Sequence, residues 1–199
     1  MLELIAPTVR LRGSWLEARS EWPAGTTLHG HGIGLDDDLE SATGFAVWVL
    51  RLLRQSDESL PVDEGKVHAT YWWIVEGDTY LGAITLRHRL NEHLLRAGGH
   101  IGYGVRPSAR GRGVAGWALG EVLPRARALG LDRVLVTCTD DNPASARTIE
   151  ARGGVLEDIQ VTEFGLTRRY WIDLLSTVDA RRRPAAPALG RPMWPRYHG

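Results

Sequence analysis

Between Ile101 and Gly116 the chain reads Ile-Gly-Tyr-Gly-Val-Arg-Pro-Ser-Ala-Arg-Gly-Arg-Gly-Val-Ala-Gly. The spacing predicts a short strand, His100–Val105, that turns away at Arg106-Pro107-Ser108. A glycine-spaced arginine loop then runs straight into an apolar-periodic helix beginning near Gly113. Glycines in such a loop let backbone N–H groups close on a ligand without a Cβ in the way. The helix start adds partial positive charge. Arg110 and Arg112 add two fixed charges, and a diphosphate is the natural occupant. The segment points to a phosphate-bearing cofactor.

Gly111, Gly113 and Gly116 formally satisfy G-x-G-x-x-G. The dinucleotide fingerprint, however, needs its first glycine at the strand end and an acidic residue about 20 residues on, closing the next strand. Here four residues separate Val105 from Arg110, and the next strand ends at Thr137-Cys138. A Walker-type loop is excluded, because no Gly-Lys-Ser/Thr follows. The remaining plain reading is a turn whose glycines serve only a helix start.

The pattern Arg110-x-x-Gly113-x-Ala115, entered from Val105-x-Pro107 and followed by a helix, resembles the acetyl-CoA signature of the GCN5-related N-acetyltransferases. Val134-Leu-Val-Thr-Cys138 reads as a buried strand. Asp141-Asn142-Pro-Ala-Ser145-Ala-Arg-Thr-Ile149-Glu150-Ala-Arg-Gly153-Gly154 is similar to the same superfamily's second motif. The resemblance covers roughly residues 69–173. Leu86-Arg-His-x-Leu-Asn91, Gly98-Gly-His-Ile-Gly-Tyr103 and Arg168-Arg-Tyr-Trp-Ile172 are similar to a subgroup of predicted bacterial acetyltransferases. The resemblance implies an acetyl-CoA-dependent N-acetyltransferase that transfers its acetyl group directly to an amine, with no metal. It does not name the acceptor. A non-catalytic acyl-CoA-binding sensor or scaffold is the alternative.

The 199 residues suffice for one domain with a sizeable core. The chain carries 24 basic and 24 acidic residues, so no bulk charge draws it to nucleic acid or membrane. The single cysteine, Cys138, excludes an internal disulfide. The amino terminus shows no signal-peptide pattern and no apolar run is long enough to span a bilayer, so a cytoplasmic protein is expected. It is expected to act as a monomer or homodimer.

Apolar periodicity predicts a strand at Leu2–Ile5 and helices at Arg10–Glu21 and Leu39–Arg54. The glycine-rich loop Gly25–Asp38 lies between those helices. Strands Thr70–Glu76 and Tyr80–Arg89 form a hairpin about Gly77-Asp78. Asn91–Gly98 reads as a turn into the strand that ends at Val105. The helix Val114–Leu129 should kink, or break near Val122, because Pro124 removes a hydrogen bond. The strand Val134–Cys138, the helix Pro143–Arg152 and a hairpin of Val155–Thr162 with Arg168–Leu174 complete the order. The expected fold is α/β, a mixed, mostly antiparallel central sheet with helices on both faces, as the GNAT resemblance implies. Residues 1–175 form one catalytic domain in this reading, with acceptor-side elements in 1–68 and the acetyl-CoA core in 69–175. The arginine- and proline-rich stretch 176–199 is an extension beyond it.

By the resemblance, Arg110, Gly111, Arg112, Gly113, Val114 and Ala115 anchor the diphosphate. The strand end Tyr103–Val105 splays from its neighbour to pair with the pantetheine arm, and the Val105 N–H polarises the thioester. Asn142 either caps its helix, ahead of Pro143, or meets the cofactor. Ser145 is either a surface serine or a pantetheine contact. Ile149 stands where many superfamily members place a tyrosine that protonates the departing thiolate. Either Tyr103, the nearest hydroxyl, or water takes that role. His100 has a pKa suited to a general base, yet strand parity turns it away from the face of Val105. A hydrogen-bonded structural histidine competes with the catalytic reading, and Glu76, His88 and Glu92 are looser candidates. His29-Gly-His31 reads as incidental loop histidines, since nothing nearby completes a metal set. Asp36-Asp37-Asp38 hints at a polycationic acceptor but equally reads as a helix start.

Overall fold

A computed structural model describes residues 1–23 and 25–175. In chain order the elements are β1 (Leu2–Ile5), α1 (Arg12–Ser20), α2 (Ala42–Arg54), β2 (Ala69–Glu76), β3 (Thr79–Arg87) and α3 (Glu92–Arg96). They continue with β4 (Ile101–Val105), α4 (Val114–Ala128), β5 (Arg133–Thr139), α5 (Pro143–Glu150), β6 (Val155–Thr162) and β7 (Gly165–Asp173). The strands form one seven-stranded sheet in the order β1-β2-β3-β4-β5-β7-β6. Only β4 and β5 run parallel; the other neighbours are antiparallel. The mixed, mostly antiparallel sheet expected from the sequence is present.

Alternation along β2 and β3 divides the core in two. Trp73, Val75, Tyr80 and Ala83 face α1 and α2, where they meet Trp15, Phe45 and Trp48 in an aromatic cluster. Ile74, Leu81, Ile84 and Leu86 face the opposite way, onto Val114, Ala118, Leu119 and Val122 of α4 and Ala146 and Ile149 of α5. Ile149 is fully buried there, so the residue in the usual tyrosine position serves the core.

Local chemistry moves several boundaries. The helix expected from Leu39 starts at Ala42, because Ser41 Oγ accepts the Gly44 N–H at 3.0 Å. Asp38 Oδ1 accepts the N–H groups of Glu40 and Ser41 just before it. The turn expected over Asn91–Gly98 contains α3, capped by Asn91 Oδ1 on the Leu94 N–H at 2.9 Å. The break expected near Val122 does not occur. Helix α4 continues through Pro124, whose ring is exposed while Val122 and Ala126 on either side stay buried in the core. The extension 176–199 lies outside the described residues.

One buried ion pair fixes α1 to the strand that matters for the site. Arg106, directly after β4, is 4% exposed. Its Nε donates to Glu21 Oε1 and its Nη2 to Glu17 Oε1, both at 2.8 Å. Its Nη1 donates to the Tyr80 carbonyl at 3.2 Å. Glu21 also accepts the Ser108 N–H at 2.9 Å. The bonds from Arg106, added to those from Ser108, hold the Glu21 carboxyl down at about 2. Removing Glu21 leaves a buried guanidinium with only the exposed Glu17 beside it. Glu21→Ala is expected to cost about 3 kcal/mol in a denaturant titration. Because the folded carboxyl titrates below the unfolded one, its contribution is present above about pH 4.5 and lost as the pH falls toward 2. Glu21→Gln should flatten that acid limb.

Candidate active site

The antiparallel ladder between β3 and β4 is anchored by Arg106 N–H to Leu81 O at 2.8 Å and Arg87 N–H to His100 O at 2.7 Å. Alternation along that ladder turns the N–H and C=O of Gly102 and Gly104 toward β3. Those of Tyr103 and Val105 therefore point to the other edge. There β5 pairs with β4 only at Ile101–Val136. Beyond that bridge the strands part, and the Tyr103 and Val105 N–H groups face the gap without a strand partner.

A cleft of about 300 Å³ occupies this gap. Tyr103, Cys138, Asn142 and Ser145 line it toward α5, and His29, Gly30, Arg87 and Phe164 line it on the side of the loop around Gly30. The two glycines of β4 explain how the loop comes so close. A Cβ at Gly104 would lie 2.7 Å from His31 Cε1, and one at Gly30 would lie 2.5 Å from the Gly102 carbonyl oxygen. Gly30 has φ +81°, which a side chain would strain, and its carbonyl accepts from buried Thr85 Oγ1 at 2.5 Å. Residues 27–30, 32 and 33 of the glycine-rich loop line one wall of this cleft.

The glycine loop ahead of α4 has the geometry of an anion cradle. Gly111 and Gly113 have φ +75° and +76°, and a Cβ on either would point into open space. Val114 and Ala115 open the 15-residue helix α4 with no side-chain cap, leaving its first N–H groups outward. Arg110 Nε donates to the Val105 carbonyl at 3.1 Å. Arg112 is held aside by Glu76 at 2.8 Å. Asn142 caps α5, its Oδ1 accepting the Ser145 N–H at 3.0 Å, and still lines the cleft.

Tyr103 Oη and Ser145 Oγ are 2.8 Å apart. Burial raises the phenol to about 12, against the opposing pull of Ser145, so it stays protonated and able to donate. Burial likewise raises the Cys138 thiol, which keeps it neutral. His100 is not part of this cluster. Its Nδ1 accepts the Leu135 N–H at 2.9 Å, and burial lowers it to about 4. It lies off the cleft and braces the β4–β5 junction, so the general-base expectation for His100 is corrected to the structural one. Asp37 and Asp38, read as a hint of a polycationic acceptor, bond instead to Arg51, Gly34 and Ser41.

Sequence reasoning missed two residues. His29 lines the cleft edge-on to Phe164, with its ring nitrogens unbonded among the described residues. Burial lowers its pKa, and the Arg87 charge lowers it further, so the imidazole is neutral near pH 7. The only signal in the sequence was its place beside Gly30 and Gly32. The second is Arg87, at the end of β3, whose Nη1 donates to the Gly98 and Gly99 carbonyls at 2.8 and 3.0 Å. An NMR titration should place His29 below 6.5, and Arg87→Gln should move it upward; an unchanged value would separate the two groups electrostatically.

Residues 51–155 match the family model described as the acetyltransferase (GNAT) domain. No match is found among curated proteins. Solved structures of similar fold include the microcin C7 self-immunity acetyltransferase MccE in complex with acetyl-CoA and AMP. It is 14% identical, with a TM-score of 0.62 over 86% of this chain and 92% of that one. A Salmonella typhimurium acetyltransferase that modifies the N-terminal serine of ribosomal protein L7/L12 is 18% identical. Its TM-score is 0.58, over 86% and 94% of the two chains. The spermidine/spermine N-acetyltransferase SpeG from Vibrio cholerae is 15% identical, with a TM-score of 0.56 over 87% and 95%. These likenesses concern the fold, whereas the family match spans more than half of the sequence. The chain thus belongs to the GNAT acetyltransferase family and is an acetyl-CoA-dependent N-acetyltransferase.

Proposed function

We propose that residues 1–175 act as one catalytic domain that acetylates an amine by direct transfer within the β4–β5 cleft. The observation that carries this reading is the unpaired edge of β4 beside the open cradle at Gly113. Gly111, Gly113, Val114 and Ala115 offer backbone N–H groups to the diphosphate, and Arg110 and Arg112 supply charge at its rim. Tyr103 and Val105 offer their outward backbone groups to the pantetheine arm, as an added strand would use them. The Val105 N–H polarises the thioester carbonyl. Asn142 and Ser145 border the arm from α5. Acetyl-CoA supplies the activated acetyl group.

His29 is neutral at physiological pH and stands on the acceptor wall, which suits it to take the proton of the attacking amine. Tyr103 stands on the opposite wall with a protonated hydroxyl, which suits it to donate to the departing thiolate. This arrangement answers the absence of a tyrosine at Ile149. The non-catalytic alternative rested on that absence and has no other observation in its favour. We further place the protein in the cytoplasm, as a monomer or homodimer acting without nucleic acid or membrane. No helix among the described residues is long and apolar enough to cross a membrane.

Acetyl-CoA is expected to raise the melting temperature, and NAD is not, since ligand binding stabilises in proportion to occupancy. Gly113→Val should stay folded, at a cost of about 1–2 kcal/mol for its positive φ, and lose the acetyl-CoA response. Full retention of that response would place the cradle elsewhere. In steady-state assays, Tyr103→Phe and His29→Gln should each lower kcat by about 100-fold, the scale of general acid–base catalysis. The KM for acetyl-CoA should hold, because the loop and not these side chains anchors the cofactor. Unchanged kcat in Tyr103→Phe would leave water as the acid.

A further inference from the structure

Among the described residues, the two buried arginines near the sheet are matched to carboxylates, whereas the half-buried Arg87 is not. Arg106 has Glu17 and Glu21, and Arg169 has Glu157 and Asp158. Arg87 has none among the described residues. Two backbone carbonyls occupy its Nη1, and its Nε and Nη2 have no hydrogen-bond partner there. Burial pulls the guanidinium below its ordinary value, and the one opposing influence is the Tyr71 phenol. The group nevertheless lines the cleft, and no aspartate or glutamate lines it with Arg87.

The unbonded N–H groups of Arg87 are open to the cleft rather than sealed in the core, so an entering anion can take them from water. The planar guanidinium fork favours a carboxylate or phosphate oxygen. The backbone carbonyls of Gly98 and Gly99 hold its Nη1, which leaves Nε and Nη2 without a partner among the described residues. His29, on the same wall, stays neutral partly because of this charge. A polycation entering here would meet Arg87 with no carboxylate to offset it.

We propose that the acceptor is an amine carrying an anionic group, carboxylate or phosphate, which Arg87 binds while the amine faces the thioester. This rests on the acetyl-transfer reading of the same cleft. Recognition is noncovalent. In the transfer the amine nitrogen bonds to the acetyl carbon, the C–S bond breaks, the amine proton passes to His29, and the thiolate takes a proton from Tyr103.

The test uses the full chain with acetyl-CoA and matched acceptor pairs: α-amino acids against their carboxamides, and phosphoethanolamine against ethanolamine, with spermidine alongside. Turnover is followed by product mass, and binding by the thermal shift of the CoA-loaded protein. The anionic member of at least one pair should be preferred by about 10-fold or more, the worth of one charge-assisted hydrogen bond. The responding pair tells carboxylate from phosphate. Arg87→Gln should abolish the preference while keeping the acetyl-CoA thermal shift. Arg87→Lys, which keeps the charge, should retain part of it and guards against misfolding of the first variant. Equal response within every pair, including no response by either member, overturns the proposal, as does preference for spermidine. Loss of the wild-type acetyl-CoA shift would instead sink the underlying reading of the cleft.

Discussion

The parting of β4 from β5 is the constraint on which the rest of the molecule depends. Two parallel strands normally continue a ladder of evenly spaced bonds, but these meet at Ile101–Val136 and then diverge. The junction is made by close approach: Gly99 has φ +60°, and a Cβ there would lie 2.4 Å from the Leu135 carbonyl oxygen. The His100 N–H bonds to that same oxygen at 2.7 Å, while its ring takes the Leu135 N–H. A tight clamp on one side of the junction and free edges on the other give a wedge with two unused backbone N–H groups. In a protein interior such groups require a partner.

The glycine spacing of β4 serves both faces of that wedge. Ile101 and Val105 are buried toward α4 and α5, and Tyr103 leans over the same face to reach Ser145. Gly102 and Gly104 lie on the other face and admit the backbone of the loop around Gly30. One five-residue strand therefore carries a core, a hydroxyl and a docking surface for the loop around Gly30. Helix α1 is tied to the end of the same strand by Arg106, so α1 and the glycine loop before α4 share one anchor.

The chain is electrically neutral as a whole, yet the cleft is not. Carboxylates are spent elsewhere, on Arg51, Arg106, Arg168 and Arg169. Desolvation in the cleft then sets protonation: it keeps His29 neutral, Tyr103 protonated and Cys138 a thiol. These are states of a wall with few compensating charges, and composition gives no hint of them.

Local chemistry by itself determined the glycine turn into α4, the strand–helix order and the caps. Arg110–Ala115 are contiguous, so their spacing alone dictates a glycine turn feeding a helix. Asn142 before Pro143 likewise reads as a helix start because both effects act within four residues. Periodicity placed the sheet and its helices, and it erred where a cap or a solvent-facing ring intervened, as at Ser41, Asn91 and Pro124. Only the tertiary structure brought His29 and Arg87 to one cleft. His29 sits 74 residues before Tyr103 in the sequence, and Arg87 reaches the cleft through carbonyls at Gly98 and Gly99. Their surroundings arise from burial and from neighbours that the fold, not the local sequence, brings together. His100 shows the same limit in reverse: a suitable pKa in isolation is overruled by a backbone N–H that only β5 could deliver.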